Sequence, residues 1–146
     1  MYISLFVLVV FSNNLYSQDK FACFQNDKKT ELQISVCFNK DYKAKYVKYK
    51  GKDETIPLFY SKKETSDIGG VKTYWTETYV EKYRGVITGT YVFTNAGSHG
   101  LDVTFKRAKD GKEFYFVIIE ELLDADGETY LNHPCFWPPN YMYSSY

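Results

Sequence analysis

Hydrophobic and polar residues alternate in several short segments of this chain. From Leu32 to Phe38, hydrophobic residues occupy every second position, with Gln33, Ser35 and Cys37 between them. Because successive side chains of a β-strand point to opposite faces, this spacing predicts a strand with one hydrophobic face. Segments rich in Thr, Tyr, Val and Phe predict further strands at Tyr42–Lys50, Thr55–Tyr60, Val71–Tyr83, Thr90–Thr94, Leu101–Arg107 and Glu113–Glu120.

Turn signals separate these strands. Asp110-Gly111 predicts a two-residue hairpin of type I′, since that turn requires positive φ at both central residues. The charged segment Ser61–Gly70 ends in two glycines, and we expect it to be an exposed loop. Pro57 has no backbone N–H, so it places Thr55–Tyr60 at the edge of a sheet.

Short strands separated by turns predict an all-β fold. We expect a small antiparallel sandwich or barrel of about 7–8 strands, formed by residues 18–132. Residues 133–146 contain three of the four prolines and several tyrosines. This composition excludes a regular helix or a central strand, so we expect an irregular C-terminal tail.

The apolar run Ile3–Phe11 predicts the central region of a signal peptide. The run is too short to span a bilayer as a helix. We expect residues 1–17 to be removed after Ser17, which leaves a secreted or periplasmic protein that is not embedded in a membrane. The alternative is that this run forms a buried first strand.

The three cysteines are Cys23, Cys37 and Cys135. In an oxidising compartment, two of them are expected to form a disulfide. We expect the pair Cys23–Cys37, because the two residues flank a polar turn and would face each other on antiparallel strands. A pair between Cys37 and Cys135 is the alternative.

Charge and motif content exclude several functions. The 18 basic residues are balanced by 18 acidic residues, which argues against a dedicated nucleic-acid binder. The chain has no C-x-x-C and no G-x-S-x-G motif, and we expect His99 and His133 to be solvated loop residues. We therefore expect no metal, no cofactor and no catalytic residue. A small secreted hydrolase with paired carboxylates stays an alternative.

Asp124-Ala125-Asp126-Gly127 resembles part of a calcium loop. It lacks the third oxygen ligand before the glycine and the glutamate six residues after it. The sequence therefore favours an ordinary Asp-Gly turn.

Aromatic residues are unusually frequent, with 15 Tyr, 11 Phe and 2 Trp. Tyrosine and tryptophan are favoured at binding surfaces, because they provide contact area at a small entropic cost. We expect some of these rings to be exposed and to contact a protein partner. Binding of a glycan by exposed Tyr and Trp is an alternative.

Thr88-Gly89-Thr90-Tyr91 resembles the S-G-x-Y loop of the periplasmic lysozyme inhibitor families, with Thr in place of Ser. The resemblance implies a small exported β protein that inserts this loop into the cleft of a lysozyme. Thr88 would then supply a hydroxyl, Gly89 a close backbone approach and Tyr91 an aromatic contact. The sequence thus predicts an exported protein-binding domain that acts through a protruding loop, with a lysozyme or another cell-wall hydrolase as its partner.

Overall fold

The structure is a computed structural model that describes residues 18–68, 72–95, 100–123 and 125–135. The predicted signal peptide at residues 1–17 and most of the predicted tail lie outside these ranges. Eight strands are present in the described ranges: β1 Lys20–Asn26, β2 Gln33–Phe38, β3 Ala44–Tyr49, β4 Thr55–Ile68, β5 Lys72–Tyr83, β6 Val86–Asn95, β7 Leu101–Arg107 and β8 Glu113–Ile118.

The eight strands form a closed antiparallel barrel. Each strand pairs with the next along the chain, and β1 pairs with β8 to close the sheet. The prediction of an all-β antiparallel fold is confirmed, and the barrel is the observed form of the two that were predicted.

Aromatic side chains fill the barrel. The interior of an eight-stranded barrel is just wide enough for side chains to fill, and large rings suit this space. Tyr91 stacks on Phe105 with ring centres 4.6 Å apart, and Phe93 contacts Tyr79 edge to face at 5.4 Å. The buried aromatic residues are Phe24, Phe38, Tyr79, Tyr91, Phe93, Phe105 and Phe116. At least seven of the 28 aromatic residues are therefore part of the core.

The two ends of the barrel differ. One end, which we call the open end, carries the β1–β2, β3–β4, β5–β6 and β7–β8 connections. At the other end, Tyr130 packs edge to face against Phe38 at 5.3 Å and Tyr42 at 4.9 Å. Lys43 and Glu77 form an ion pair of 2.6 Å beside these rings. Among the described residues, these side chains pack together at this second end of the barrel.

The segment after β8 packs on the outside of β1. A 3₁₀ helix at Glu120–Leu122 turns the chain back, and Leu131 exchanges backbone hydrogen bonds of 2.8 and 2.9 Å with Phe21. Leu131, Cys23 and Ile119 form a small second hydrophobic cluster there. Within the described ranges, no helix has the length and hydrophobicity needed to cross a membrane.

The disulfide joins Cys23 to Cys135, so the expected Cys23–Cys37 pair is wrong. Cys23 lies opposite Ser35 in the β1–β2 register, which makes Cys37 its diagonal neighbour. Diagonal neighbours lie about 7–8 Å apart, beyond the roughly 6.8 Å between Cα atoms that a disulfide spans. The Cα atoms of Cys23 and Cys135 are 5.9 Å apart, and Cys37 is a buried free thiol, which also excludes the alternative Cys37–Cys135 pair.

Three local predictions for the strands and turns are corrected. The segment 61–68 is not a loop but part of β4, which pairs with β5 from Leu58 to Ile68. Pro57 does not mark a sheet edge, because β4 lies between β3 and β5 and Pro57 is the last β4 residue that pairs with β3. The β7–β8 hairpin is confirmed, but its turn is longer than two residues, and only Gly111 has positive φ.

Candidate functional site

A cavity of about 790 Å³ lies at the open end of the barrel. Its walls come from the β1–β2, β3–β4 and β5–β6 hairpins. A smaller cavity of about 240 Å³ adjoins it, shares Leu32 and Tyr49 with it, and reaches Phe105 and Phe114. The volume of the larger cavity falls in the range of small-molecule sites, and the mouth of a β-barrel is a common place for such sites. The side chains that line the larger cavity include Leu32, Tyr49, Ile56, Glu81, Tyr83 and Thr88.

Glu81 is a buried acidic residue in the wall of this cavity. It lies near the end of β5 and is only 5% exposed. The Thr88 hydroxyl donates to its Oε1 at 2.6 Å, and the Tyr91 hydroxyl donates to its Oε2 at 2.8 Å. The Tyr49 and Tyr91 hydroxyl oxygens are 2.7 Å apart. Since the single proton of Tyr91 is donated to Glu81, Tyr49 donates to Tyr91, and a hydrogen-bond chain runs from β3 through β6 to β5.

The two tyrosines in this chain resist ionisation. Burial, together with the nearby Tyr49 and Glu81, raises the pKa of Tyr91 well above its ordinary value. Burial raises the pKa of Tyr49 to about 12. Both hydroxyls therefore stay protonated near neutral pH and remain hydrogen-bond donors.

Glu77 provides a direct comparison with Glu81. It lies four residues earlier on β5 and is equally buried, at 5% exposed. The Lys43 ammonium contacts Glu77 at 2.6 Å, and the Tyr79 hydroxyl donates to it at 2.8 Å. In the part of the chain that the structure describes, no lysine or arginine lies within ion-pair distance of Glu81. Glu81 thus has hydroxyl partners but no cationic partner.

Glu77 and Glu81 are well separated along β5. Four residues along a strand separate their Cα atoms by roughly 13 Å. The carboxylates of glycoside hydrolases lie about 5–9.5 Å apart. This pair therefore gives no support to the hydrolase alternative.

The structure places Thr88-Gly89-Thr90-Tyr91 inside β6 rather than in a protruding loop, so that expectation is wrong. The chain turns at Arg84 and Gly85, whose φ values are 51° and 79°, and β6 begins directly afterwards at Val86. Positive φ at both positions is the mark of a type I′ turn, which suits a two-residue hairpin. Gly89, Thr90 and Tyr91 are paired with β5 on one side and β7 on the other, and Tyr91 is fully buried.

Gly89 allows a close contact within the barrel. A Cβ atom at this position would lie 2.0 Å from the ring carbon Cε2 of Phe105 and 2.9 Å from the carbonyl oxygen of Lys106. Phe105 in turn stacks on Tyr91. Gly89 thus lets Phe105 cover the β6 backbone beneath the cavity.

Of the remaining predicted residues, the described ones Asp126, Gly127 and His133 do not line the cavity. Asp126 accepts a hydrogen bond from the Glu128 N–H at 3.3 Å, and Gly127 has a φ of 72°, which is the geometry of a local Asp-Gly turn. Asp124 and His99 lie outside the described residues. The Nδ1 atom of His133 lies 3.0 Å from the Pro134 carbonyl oxygen. Among the described residues, no group of three or more His, Cys, Asp or Glu side chains is arranged to hold a metal ion.

Comparison of this chain with protein-family models, curated proteins and solved structures finds no match. The function is therefore inferred from the fold and the site. They define a closed eight-stranded antiparallel barrel with a cavity at its open end and a buried carboxylate in the cavity wall.

Proposed function

We propose that this barrel binds a small molecule in the cavity at its open end. The observation that carries the proposal is a cavity of about 790 Å³ with a buried, hydrogen-bonded carboxylate in its wall. Binding sites for small molecules combine a mostly apolar lining with a few placed polar groups. Leu32 and Ile56 supply apolar surface here, and Glu81 is a buried carboxylate among the polar and charged residues of the lining.

The predicted protein-binding function depended on the side chains of Thr88 and Tyr91. Both hydroxyls bind Glu81 of the same chain, and contact of Tyr91 with a partner would require β6 to separate from its neighbours. Inhibition of a lysozyme therefore stays a prediction that an enzyme assay can check. We favour the cavity because it is formed without any rearrangement.

Glycan binding by a row of exposed rings finds little support in the described residues. Phe59 and Tyr60 are 47% and 51% exposed, but the Lys82 ammonium lies over the Phe59 ring and Lys43 over the Tyr60 ring. Tyr60 also contacts Tyr79 of the interior. Because neighbours on a strand point to opposite faces, these two rings do not form one stacking surface.

We also propose that the protein is exported. The Cys23–Cys135 disulfide supports this, because disulfides persist in oxidising compartments. Sequencing of the N-terminus of the protein recovered outside the cytoplasm tests the cleavage after Ser17. An N-terminus at Met1 in that material would contradict it.

The binding proposal is tested with Nile red, a neutral dye whose fluorescence rises in an apolar pocket. Wild-type protein should enhance the fluorescence, and Ile56→Trp should abolish the enhancement by filling the cavity. Ile87→Trp is the matched control, because Ile87 is 56% exposed and does not line the cavity. Equal enhancement by both variants, or none by the wild type, would overturn the proposal.

A further inference from the structure

We infer that the ligand of the open-end cavity carries a cationic amine and that Glu81 is its counter-ion. This inference rests on the proposed function and names the chemical class of the ligand. It is argued from the contrast between the two buried glutamates of β5.

Glu77 shows how this barrel stabilises a buried carboxylate. Glu77 combines one tyrosine hydroxyl with the ammonium group of Lys43 at 2.6 Å. Glu81 has the same burial and also accepts hydroxyl donors, from Thr88 and Tyr91. A buried carboxylate without an opposite charge is costly, so a cation that enters the cavity would be stabilised beside Glu81.

Glu81 has the acceptor capacity to bind an ammonium group. Each carboxylate oxygen has two lone pairs, and each oxygen of Glu81 accepts one hydrogen bond from the described residues. The remaining lone pairs are available to a donor in the cavity, which Glu81 lines. A primary ammonium has three N–H donors and forms strong charge-assisted bonds with a carboxylate.

The rest of the cavity favours the same ligand class. Carboxylates exceed ammonium groups in its lining, four against two: Glu31, Asp53, Glu54 and Glu81 against Lys50 and Lys52. Tyr49 and Tyr83 also line the cavity, and tyrosine rings attract cations through their π faces. The apolar side chains Leu32 and Ile56 would cover the body of the ligand.

The test compares three probes that share a phenyl ring and differ in charge: phenethylamine, phenethyl alcohol and hydrocinnamate. Each probe displaces Nile red from the wild-type protein, and the displacement constants are compared. We expect the amine to bind about tenfold more tightly than the alcohol, as a charge-assisted hydrogen bond implies, and the anion to bind most weakly.

Two variants assign this preference to one side chain. In Glu81→Gln, the ratio of the displacement constants of the amine and the alcohol should be close to one. Continued binding of Nile red to this variant would show that the cavity is intact. Glu77→Gln is the matched control, because it changes an equally buried glutamate on the same strand outside the cavity. It should leave the ratio unchanged.

The possible outcomes distinguish the amine inference from the proposed binding function. Nile red binding with equal affinities for amine and alcohol would overturn the amine inference and leave the proposed function standing. Loss of the preference in Glu77→Gln but not in Glu81→Gln would also overturn it. Absence of Nile red binding to the wild type would overturn both. If Glu81→Gln does not fold, the displacement constants of the three probes with the wild-type protein decide whether the amine is preferred.

Discussion

Thr88 and Glu81 face each other across the β5–β6 hairpin, with the threonine hydroxyl 2.6 Å from the carboxylate Oε1. The hairpin has a two-residue turn, so the two residues lie close to the chain reversal, and Thr88 is the extra β6 residue at an irregularity where Glu81 pairs with Gly89 and Lys82 with Ile87. The hydroxyl that the lysozyme inhibitor resemblance assigned to a partner is therefore bound within the barrel. This contact orients the carboxylate at the wall of the cavity.

Replacing Thr88 by Val tests the energetic value of this contact. The change keeps the side-chain shape and removes the hydroxyl, so Glu81 loses one of its two donors. We expect a loss of about 1.5–3 kcal/mol in the free energy of unfolding, as for a hydrogen bond to a charged group. Urea denaturation measures the change. Thr90→Val is the control on the same strand, and a similar loss in both variants would contradict the assignment.

Replacing Gly89 by Ala tests the close contact beneath the cavity. The new methyl group would overlap the Phe105 ring, and Phe105 is held by stacking on Tyr91. We expect destabilisation of about 1–3 kcal/mol, as for other overpacked core positions.

A double variant identifies the cause. In Gly89→Ala combined with Phe105→Leu, the smaller side chain should relieve part of the clash. The double variant should then lose less free energy of unfolding than the sum of the losses in the two single variants. Strict additivity in thermal or urea unfolding would show that Phe105 is not responsible.

Hydrophobic alternation identified β2 in the sequence, but it did not identify the inward face of β5. In β2, the hydrophobic residues Ile34, Val36 and Phe38 are buried, as the alternation predicts, and Ser35 and Cys37 on the other face are buried as well. In β5, the inward residues are Glu77, Tyr79 and Glu81, which resemble a solvent-exposed face in the sequence. Their ion-pair and hydrogen-bond partners are Lys43, from the β2–β3 connection, and Thr88 and Tyr91, from β6, so the local pattern of β5 alone did not identify the site.

The other wrong predictions concern β4 and the disulfide. Both features depend on how strands pair rather than on hydrophobic alternation. The side chains of residues 59–65 are exposed on β4, so their sequence carries no hydrophobic alternation, and their strand structure comes from hydrogen bonds with β5. The disulfide depended on the register of β1 with β2 and on the return of the chain to Phe21 at Leu131. Neither relationship is encoded in the spacing of three cysteines.

The disulfide prediction can be tested by peptide mapping and by unfolding. Mass spectrometry should find Cys23 linked to Cys135. Cys135→Ser should lower the free energy of unfolding by about 2–5 kcal/mol, because the bond closes a long loop. Cys37→Ala is the control that leaves the bond intact.

Alkylation under native conditions tests the free thiol. Cys37 should react slowly, since it is fully buried and burial raises the pKa of its thiol, and reaction should accelerate in denaturant. Rapid native alkylation of Cys37, or a peptide that links Cys37 to another cysteine, would contradict the observed pairing.

The buried tyrosines predict loss of stability at alkaline pH. Burial raises the pKa of Tyr49 and Tyr130 to about 12, whereas an unfolded chain ionises its tyrosines near pH 10. Above about pH 10 the unfolded state therefore releases protons that the folded state retains, and stability falls until the folded pKa is reached. The stability contribution is fully present below that range. Urea denaturation at increasing pH should show this fall.

Ionisation can be followed directly by the ultraviolet absorbance of phenolate after a jump to alkaline pH. Exposed tyrosines should ionise within the mixing time, and the buried ones should ionise only at the rate of unfolding measured by circular dichroism. Tyr91 belongs to the slow group, because burial and Glu81 hold its pKa well above the ordinary value. In Tyr91→Phe the slow amplitude should decrease. Complete ionisation in the fast phase, with the circular dichroism unchanged, would show that the Tyr49–Tyr91–Glu81 chain is open to solvent and would contradict the structure of the cavity wall.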